Sequence, residues 1–561
     1  MNIKKTLVVA ACLLGIAQGY AQQASIQRID MMPNKPSPYK MLDWKQVALD
    51  YDNFVFNINL KGQYLPLVKV GDAGVNYPEV NKVYMATYVG HNKHPMLAEG
   101  INILPAIVGA TLVGVDKTNQ YGVNWVAMAK EYFNKKNGEL LYLNNINART
   151  GGDWWYEVMP SVFFYQLYAL YPQADKEFAG QFNKTATVFL EMLKQLGAKE
   201  SPLTAPYMNY RSFSKRTGKP RTDNVPEPET AGSIAWIMYQ AYIETGNAEY
   251  LKGARWALDF LQGWDKNPSY ELQLPYGILT AARMNAELGT HYDIQKFLDW
   301  AFSSGVGTLR RWGCIVGNWG GYDVSGLIGE ANDNGDDYAF IMNGFQHAAA
   351  LIPLVKYDKR YARALAKWTL NLANASRLFY HNQLPAVHQE QASYQWAKEY
   401  NKISCIPFES MKEKWNGKSP VIMGDAVKGN WAKTDLSLYS GSSVGYMASL
   451  LSPTNVEGIL QIDLNKTDFR GENNYPVYLY YNPYNEAKKV RINLPNEKVN
   501  VYDAISEKLI LTNVAKQATF SIDADHVRMM VVIPASAIIE YDKRFVKVKG
   551  GGVIDFQFGN Y

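Results

Sequence analysis

A chain of 561 residues with 47% hydrophobic and 19% charged residues buries a large core and is long enough for two or three domains. Its net charge of +5 is low and scattered, which excludes nucleic acid as a partner. With 3 Cys in all, a disulfide scaffold and a Cys-rich metal site are excluded, and one bond between Cys314 and Cys405 stays open.

The first 21 residues read as a secretory leader: Lys4 and Lys5, an apolar run from Leu7 to Ile16, and a small-residue cleavage site at Gly19-Tyr20-Ala21. The protein is expected to be exported, and its charge becomes +3 once Lys4 and Lys5 leave. No later stretch is long and apolar enough to span a bilayer.

Residues 22–452 are expected to form one helical domain. Apolar spacing predicts helices over 43–56, 98–115, 122–135, 154–170, 176–196, 230–245, 247–263, 275–288, 292–303, 338–353, 358–378 and 438–451. Short links at 116–121, 171–175, 246, 289–291 and 354–357 alternate with long ones at 57–97, 136–153, 197–229, 304–337 and 379–437. In an up–down array, alternate links lie at opposite ends, so the long ones gather on one rim. The expected architecture is an (α/α)6 toroid of six helical hairpins with its site in the decorated mouth. From 453 to 561 short alternating runs bounded by Asn, Pro, Gly and Asp predict an antiparallel β-sandwich.

The long links hold the candidate chemistry. The segment Trp312–Phe340 is rich in Trp, Tyr, Gly and acids, and flat aromatic faces beside carboxylates suit a sugar-binding cleft. Within it Asp323 is the leading acid, because Gly320 and Gly321 let the backbone approach a ligand. Trp319 and Tyr322 would stack on sugar rings, and Asp337 opens the following helix. Residues 330–337 resemble a calcium loop, but the position for a bidentate Glu holds Ile341, so no metal and no cofactor is expected.

Glu229, stiffened by Pro226 and Pro228 ahead of a helix, is expected to be ionised by the positive helix terminus. Asp153 precedes Trp154-Trp155-Tyr156-Glu157 as a cap or a catalytic acid. Glu157, flanked by aromatics, is expected to have a raised pKa and to donate a proton. The basic run holding Tyr210, Arg211 and Lys215 lies on the same rim, where a guanidinium fork suits a uronate carboxylate. His388 falls in a long link and is expected to face the mouth. Gly441-Ser442-Ser443-Val444-Gly445 fits the nucleophile-elbow pattern but lacks a preceding strand.

Leu274-Pro275-Tyr276-Gly277, Ala281–Glu287, Trp319–Leu327 and Tyr338-Ala339-Phe340 with Asn343 resemble exported glycan-degrading toroids, nearest to glycoside hydrolase family 154. That resemblance implies exo-β-glucuronidase activity and a uronate-containing oligo- or polysaccharide as the partner. The expected reaction is two-carboxylate hydrolysis by Asp323, Glu229 and Glu157, with Asp153 in reserve, on substrate held by Arg211 or Lys215 and stacked on Trp154, Trp319 and Tyr322. A polysaccharide lyase recruiting Tyr210, Arg211 and His388 is the first rival, and a non-catalytic glycan-binding protein the second.

Overall fold

The computed structural model describes residues 22–92 and 97–556, so the expected leader lies outside the described residues. Among the described residues, twelve helices of seven residues or more organise the first part of the chain. They are α1 (Trp44–Val55), α2 (Gly100–Leu112), α3 (Trp154–Leu170), α4 (Phe178–Gln195), α5 (Thr230–Thr245), α6 (Ala248–Gly263), α7 (Gln273–Leu288), α8 (Ile294–Ala301), α9 (Ile341–Leu351), α10 (Ala362–Ser376), α11 (Gln391–Tyr400) and α12 (Val444–Leu450).

Composition sorts these helices into two layers. α2, α3, α5, α7 and α9 are apolar or small-residue on nearly every face and are buried along most of their length. A helix buried all round belongs in an interior layer. Packed in the order α2, α3, α5, α7, α9, α12 and back to α2, six such helices close a ring. The amphipathic helices lie outside it: α4 on α3 and α5, α6 on α5, α8 on α7, α10 on α9, and α1 on α12. Where a sixth outer helix was expected, residues 125–132 make only a short α turn and a 3-10 turn beside α2. The chain breaks off there because Phe133 turns extended.

Two crossings in the ring are set by glycine. A Cβ on Gly277 of α7 would stand 2.5 Å from the Gly232 Cα of α5, so only a bare backbone fits there. Likewise a Cβ on Gly445 would meet the Gly109 carbonyl oxygen at 2.2 Å, which places α12 against α2. The Gly441–Gly445 motif is therefore a packing device. Its Ser443 Oγ accepts from Gln346 Nε2 at 3.0 Å, in a hydrogen-bond chain through Tyr276 and Gln166 to Tyr446 that ties four ring helices together.

Two links carry unexpected sheet and helix. Strands β3 (Trp312–Cys314), β4 (Ile328–Glu330), β5 (Tyr338–Phe340), β6 (Ser410–Lys412) and β7 (Val421–Met423) form an antiparallel sheet in the order β7-β6-β5-β4-β3, and α11 lies within the 379–437 link. An earlier hairpin joins β1 (Ser212–Ser214) to β2 (Lys219–Arg221). Cys314 and Cys405 are both buried free thiols.

After α12 come β8 (Leu451–Pro453), β9 (Leu460–Asp463), β10 (Val477–Tyr481), β11 (Lys488–Asn493), β12 (Val499–Asp503), β13 (Lys508–Val514), β14 (Gln517–Ile522) and β15 (Val527–Pro534). Six of them form an antiparallel sheet in the order β8-β9-β10-β15-β12-β13, and β11 pairs with β14 alone. β15 is apolar on both faces. Met530 and Val532 pack with Val490, Ile492 and Phe520 of the β11–β14 pair, while Met529, Val531 and Ile533 join the helical core. One face of the sheet is thus covered by the two-stranded β11–β14 pair and the other by α10, instead of by a second full sheet. Among the described residues no helix is long and apolar enough to cross a membrane.

Candidate active site

A cavity of about 490 Å³ opens among the long links. Tyr88 and His91 reach it from the 57–97 link, Asp153 from the link ahead of α3, Arg211 and Glu227 from 197–229, and Glu409 and Trp431 from 379–437. Trp155 and Tyr156 enter from the first turn of α3, and Tyr270 and Glu271 from the link before α7. The ring brings these links together because α3, α5 and α7 begin at the same end.

Arg211 organises the charges. Its guanidinium donates to Asp153 Oδ2 through one terminal nitrogen and to Glu227 Oε1 at 2.5 Å through the other. Asp153 also caps α3, accepting from the Trp155 amide at 3.0 Å. An arginine with both forks engaged fixes two carboxyl groups in one plane.

Around this pair stand carboxyls that resist ionisation. Burial, followed by the charge of Asp153, pushes Glu227 up to about 8. Burial pushes Glu271 up to about 7, with Asp153 adding to the shift and the Tyr270 hydroxyl opposing it. Glu409, buried and hydrogen-bonded by Tyr88 at 2.5 Å, is pushed to about 7 by burial as well. One oxygen of Glu227 and one of Glu271 are buried without a hydrogen-bond partner. Glu271 also has a left-handed backbone at φ 42°, a conformation costing a non-glycine residue on the order of 1 kcal/mol. Arg310 lies 3.6 Å over the Tyr270 ring, and its charge opposes part of the upward shift of Glu227 and Glu271.

The expected site residues divide among several places. Asp153 and Arg211 line the cavity. Glu157 is buried, with its carboxyl pushed to about 7 by burial. Its Oε1 accepts the amides of Gly151, Gly152 and Asp153 at 2.9, 2.7 and 3.0 Å, and Oε2 accepts Ser212 at 2.6 Å. It holds the loop that presents Asp153. Trp154 is fully buried, because consecutive helix residues point about 100° apart, and Trp155 and Tyr156 face the cavity in its stead.

Glu229 departs from expectation. It is 1% exposed, and burial together with the neighbouring Glu227 drives its pKa well above the carboxylate range. The helix terminus does not ionise it, since desolvation outweighs the dipole. Of the two glutamates in the Pro-Glu-Pro-Glu run, Glu227 is the one that reaches the cavity. Tyr210 packs its ring 5.2 Å from Tyr207, and Lys215 donates to the Gly138 carbonyl at 2.5 Å on the outside of the loop.

Trp319, Tyr322, Asp323 and His388 lie apart from the cavity. Asp323 is buried in a tight hairpin, where its carboxylate accepts the Ser325 amide at 3.1 Å. Trp319 is buried, and Tyr322 faces His388 at 6.3 Å between ring centres. His388 shares a hydrogen bond with the Pro420 carbonyl at 2.6 Å. Asp337 closes a turn by accepting the amides of Asn332 and Asp333 at 2.7 and 3.0 Å. Glycines in this segment serve close backbone packing: a Cβ on Gly320 would meet the Ser419 carbonyl oxygen at 1.9 Å. Among the described residues no group of three or more His, Cys, Asp or Glu side chains is placed to hold a metal ion.

Glu271, Glu227, Glu409, Tyr156, Tyr270 and Trp431 had no sequence-based assignment. The signal that points to Glu271 is its place beside Tyr270 in a proline-bounded link, Pro268 to Pro275.

No protein-family model and no curated protein sequence matches the chain. It is similar to a solved family 76 glycoside hydrolase from a bovine Bacteroides thetaiotaomicron strain, with TM-score 0.42, 10% identity, and coverage of 73% of this chain and 77% of that one. An unsaturated glucuronyl hydrolase from Streptococcus agalactiae is similar at TM-score 0.39 and 11% identity, covering 78% and 97%. A GH127 β-L-arabinofuranosidase from Geobacillus stearothermophilus T6 is similar at TM-score 0.35 and 10% identity, covering 91% and 84%. Likenesses this distant bear on neither the fold nor the chemistry of this chain, which rest on its own geometry.

Proposed function

We propose that this protein is an exported glycoside hydrolase that releases glucuronic acid from uronic-acid-containing glycans. The carrying observation is the pairing, in one cavity, of an acid pushed to about 7 with one oxygen lacking a hydrogen-bond partner, Glu271, and an arginine-bound carboxylate, Asp153. Hydrolysis of a glycosidic bond needs one carboxyl in each state.

In this reading Glu271 gives its proton to the glycosidic oxygen as the bond to the anomeric carbon breaks. Asp153 accepts a proton from the water that attacks that carbon, and Glu227 keeps Arg211 in place. Tyr156 and Trp431 are 43% and 44% exposed and line the cavity, so they offer flat faces for sugar rings. Arg211 and Arg310 together with neutral Glu227, Glu271 and Glu409 leave room for a substrate carboxylate below neutral pH.

A lyase needs a tyrosine or histidine that surrenders its proton readily. Burial drives Tyr270 well above the ordinary tyrosine range, which favours hydrolysis over a lyase based on this tyrosine. The test is incubation with a panel of aryl glucuronides and uronate-rich polysaccharides, reading free glucuronic acid and ultraviolet absorbance together. Free sugar without new absorbance is expected. Absorbing unsaturated products would establish the lyase, and no turnover on any substrate would leave a binding protein.

A further inference from the structure

A second cavity of about 400 Å³ adjoins the first and shares Glu99, Asp153 and Tyr156 with it. The two chambers stand side by side, and each falls in the range of ligand cavities, roughly 300–1,000 Å³. The carboxylate proposed to activate water, Asp153, stands on the boundary. In the hydrolase reading, a bond cut beside Asp153 would have one sugar unit on each side of this boundary.

The second chamber differs from the first in its charge. Apart from Asp153, its acidic residues are turned to internal work. Glu157 has both oxygens occupied by the 151–153 amides and Ser212. Glu99 accepts from Asn144 and Asn102 at 3.2 Å each, and from Thr87. Asp153 is held by Arg211.

Arg149 is the one cation lining this chamber among the described residues. Its ion pair with Glu139 is long, 3.8 Å, and 53% of its side chain stands in solvent. In the first chamber, by contrast, both terminal nitrogens of Arg211 are already engaged.

We infer that the second chamber is a subsite for the sugar on the leaving side of the cleaved bond, and that Arg149 selects units bearing an anionic substituent. A carboxylate and a sulfate present the same planar-edge oxygens to a guanidinium, so the shared chemistry is an anionic sugar. Tyr156, exposed to both chambers, would carry the ring across the boundary.

This inference rests on the hydrolase reading and is tested with three disaccharides that share a terminal glucuronic acid. Their second unit is neutral, carboxylated or sulfated. For the wild-type protein, kcat/KM is expected to favour a charged second unit over the neutral one, and the favoured arm names the anion. In Arg149→Gln that preference is expected to fall about tenfold, mainly through KM, while Arg149→Lys retains part of it. A wild-type protein indifferent to the charge, or an Arg149→Gln protein with the preference intact, overturns the subsite.

If no disaccharide is cleaved, the hydrolase reading fails by itself. Calorimetric titration of the same three compounds then still reads the subsite: weaker binding of the charged ones by Arg149→Gln supports it, and equal binding by both proteins overturns it.

Discussion

Glu271 and Glu157 have pKa values raised to about the same point and by the same cause, yet their surroundings assign them different work. Glu157 is saturated by three amides and a hydroxyl, so its proton has nowhere to go; Glu271 has one oxygen without a hydrogen-bond partner. Replacing Glu271 by Gln is expected to lower kcat roughly 10²–10⁴-fold, the range for losing a general acid, with little change in melting temperature. Because the proton donor must hold its proton, kcat/KM of the wild-type protein should fall as pH rises through about 7, the value to which Glu271 is pushed. A pH–rate profile checks this, and a limb that persists unchanged in Glu271→Gln would assign it elsewhere. Glu157→Ala should instead strand the three amides of 151–153. The expected cost is at least about 3 kcal/mol of stability, measured by denaturant unfolding.

At the scale of elements, the decisive contact is the crossing of α5 and α7 at Gly232 and Gly277. Glu227 lies just ahead of α5 and Glu271 just ahead of α7, so the gap between these helices sets the gap between the two carboxyls. Gly277→Ala is expected to force the helices apart, costing about 1–3 kcal/mol and lowering kcat more than it raises KM. Unfolding curves and steady-state kinetics on the same preparation check both halves. Full activity in a destabilised Gly277→Ala protein would show that the crossing does not set the site.

For the molecule as a whole, buried carboxyls link stability to pH. Glu157, Glu271 and Glu409 are pushed to about 7 and Glu227 to about 8, from an ordinary value of 4.5. In the C-terminal sheets Asp555 is pushed by burial to about 7 against the attraction of Lys359. Raised carboxyls keep protons in the folded protein that the unfolded chain has already released. The stability they favour is complete at low pH and is lost as pH rises through 7 to 8. Buried His347, lowered to about 4 by burial, works in the opposite direction, but only below its unfolded value of 6.5. Between about pH 6.5 and about pH 8 the melting temperature should therefore fall, as scanning calorimetry would show. A rise across that interval would mean that these carboxyls are ionised in the fold.

Much of the frame was legible from local pattern. The spans 154–170 and 230–245 were read to the residue, because period and capping are local properties. The rim was legible too, since link length alone told that Asp153 and Arg211 belong near one mouth. The aromatic segment at 312–340 was misleading for a physical reason. Its Gly, Trp and Asp residues look like ligand chemistry, but Trp319 and Asp323 are spent on a buried hairpin and Gly320 on a close backbone approach.

What the sequence determined by itself is what depends on neighbours a few residues away: helix periods, the caps, the change from helices to strands near Leu451, and the acid-rich, aromatic links. Tertiary structure alone decided which acids are pushed above the ordinary carboxylate range and which of Glu227 and Glu229 reaches the cavity. A carboxyl's proton affinity is set by how much water it loses and which charges surround it. Those quantities are fixed by residues from five separate links, and no stretch of sequence contains them.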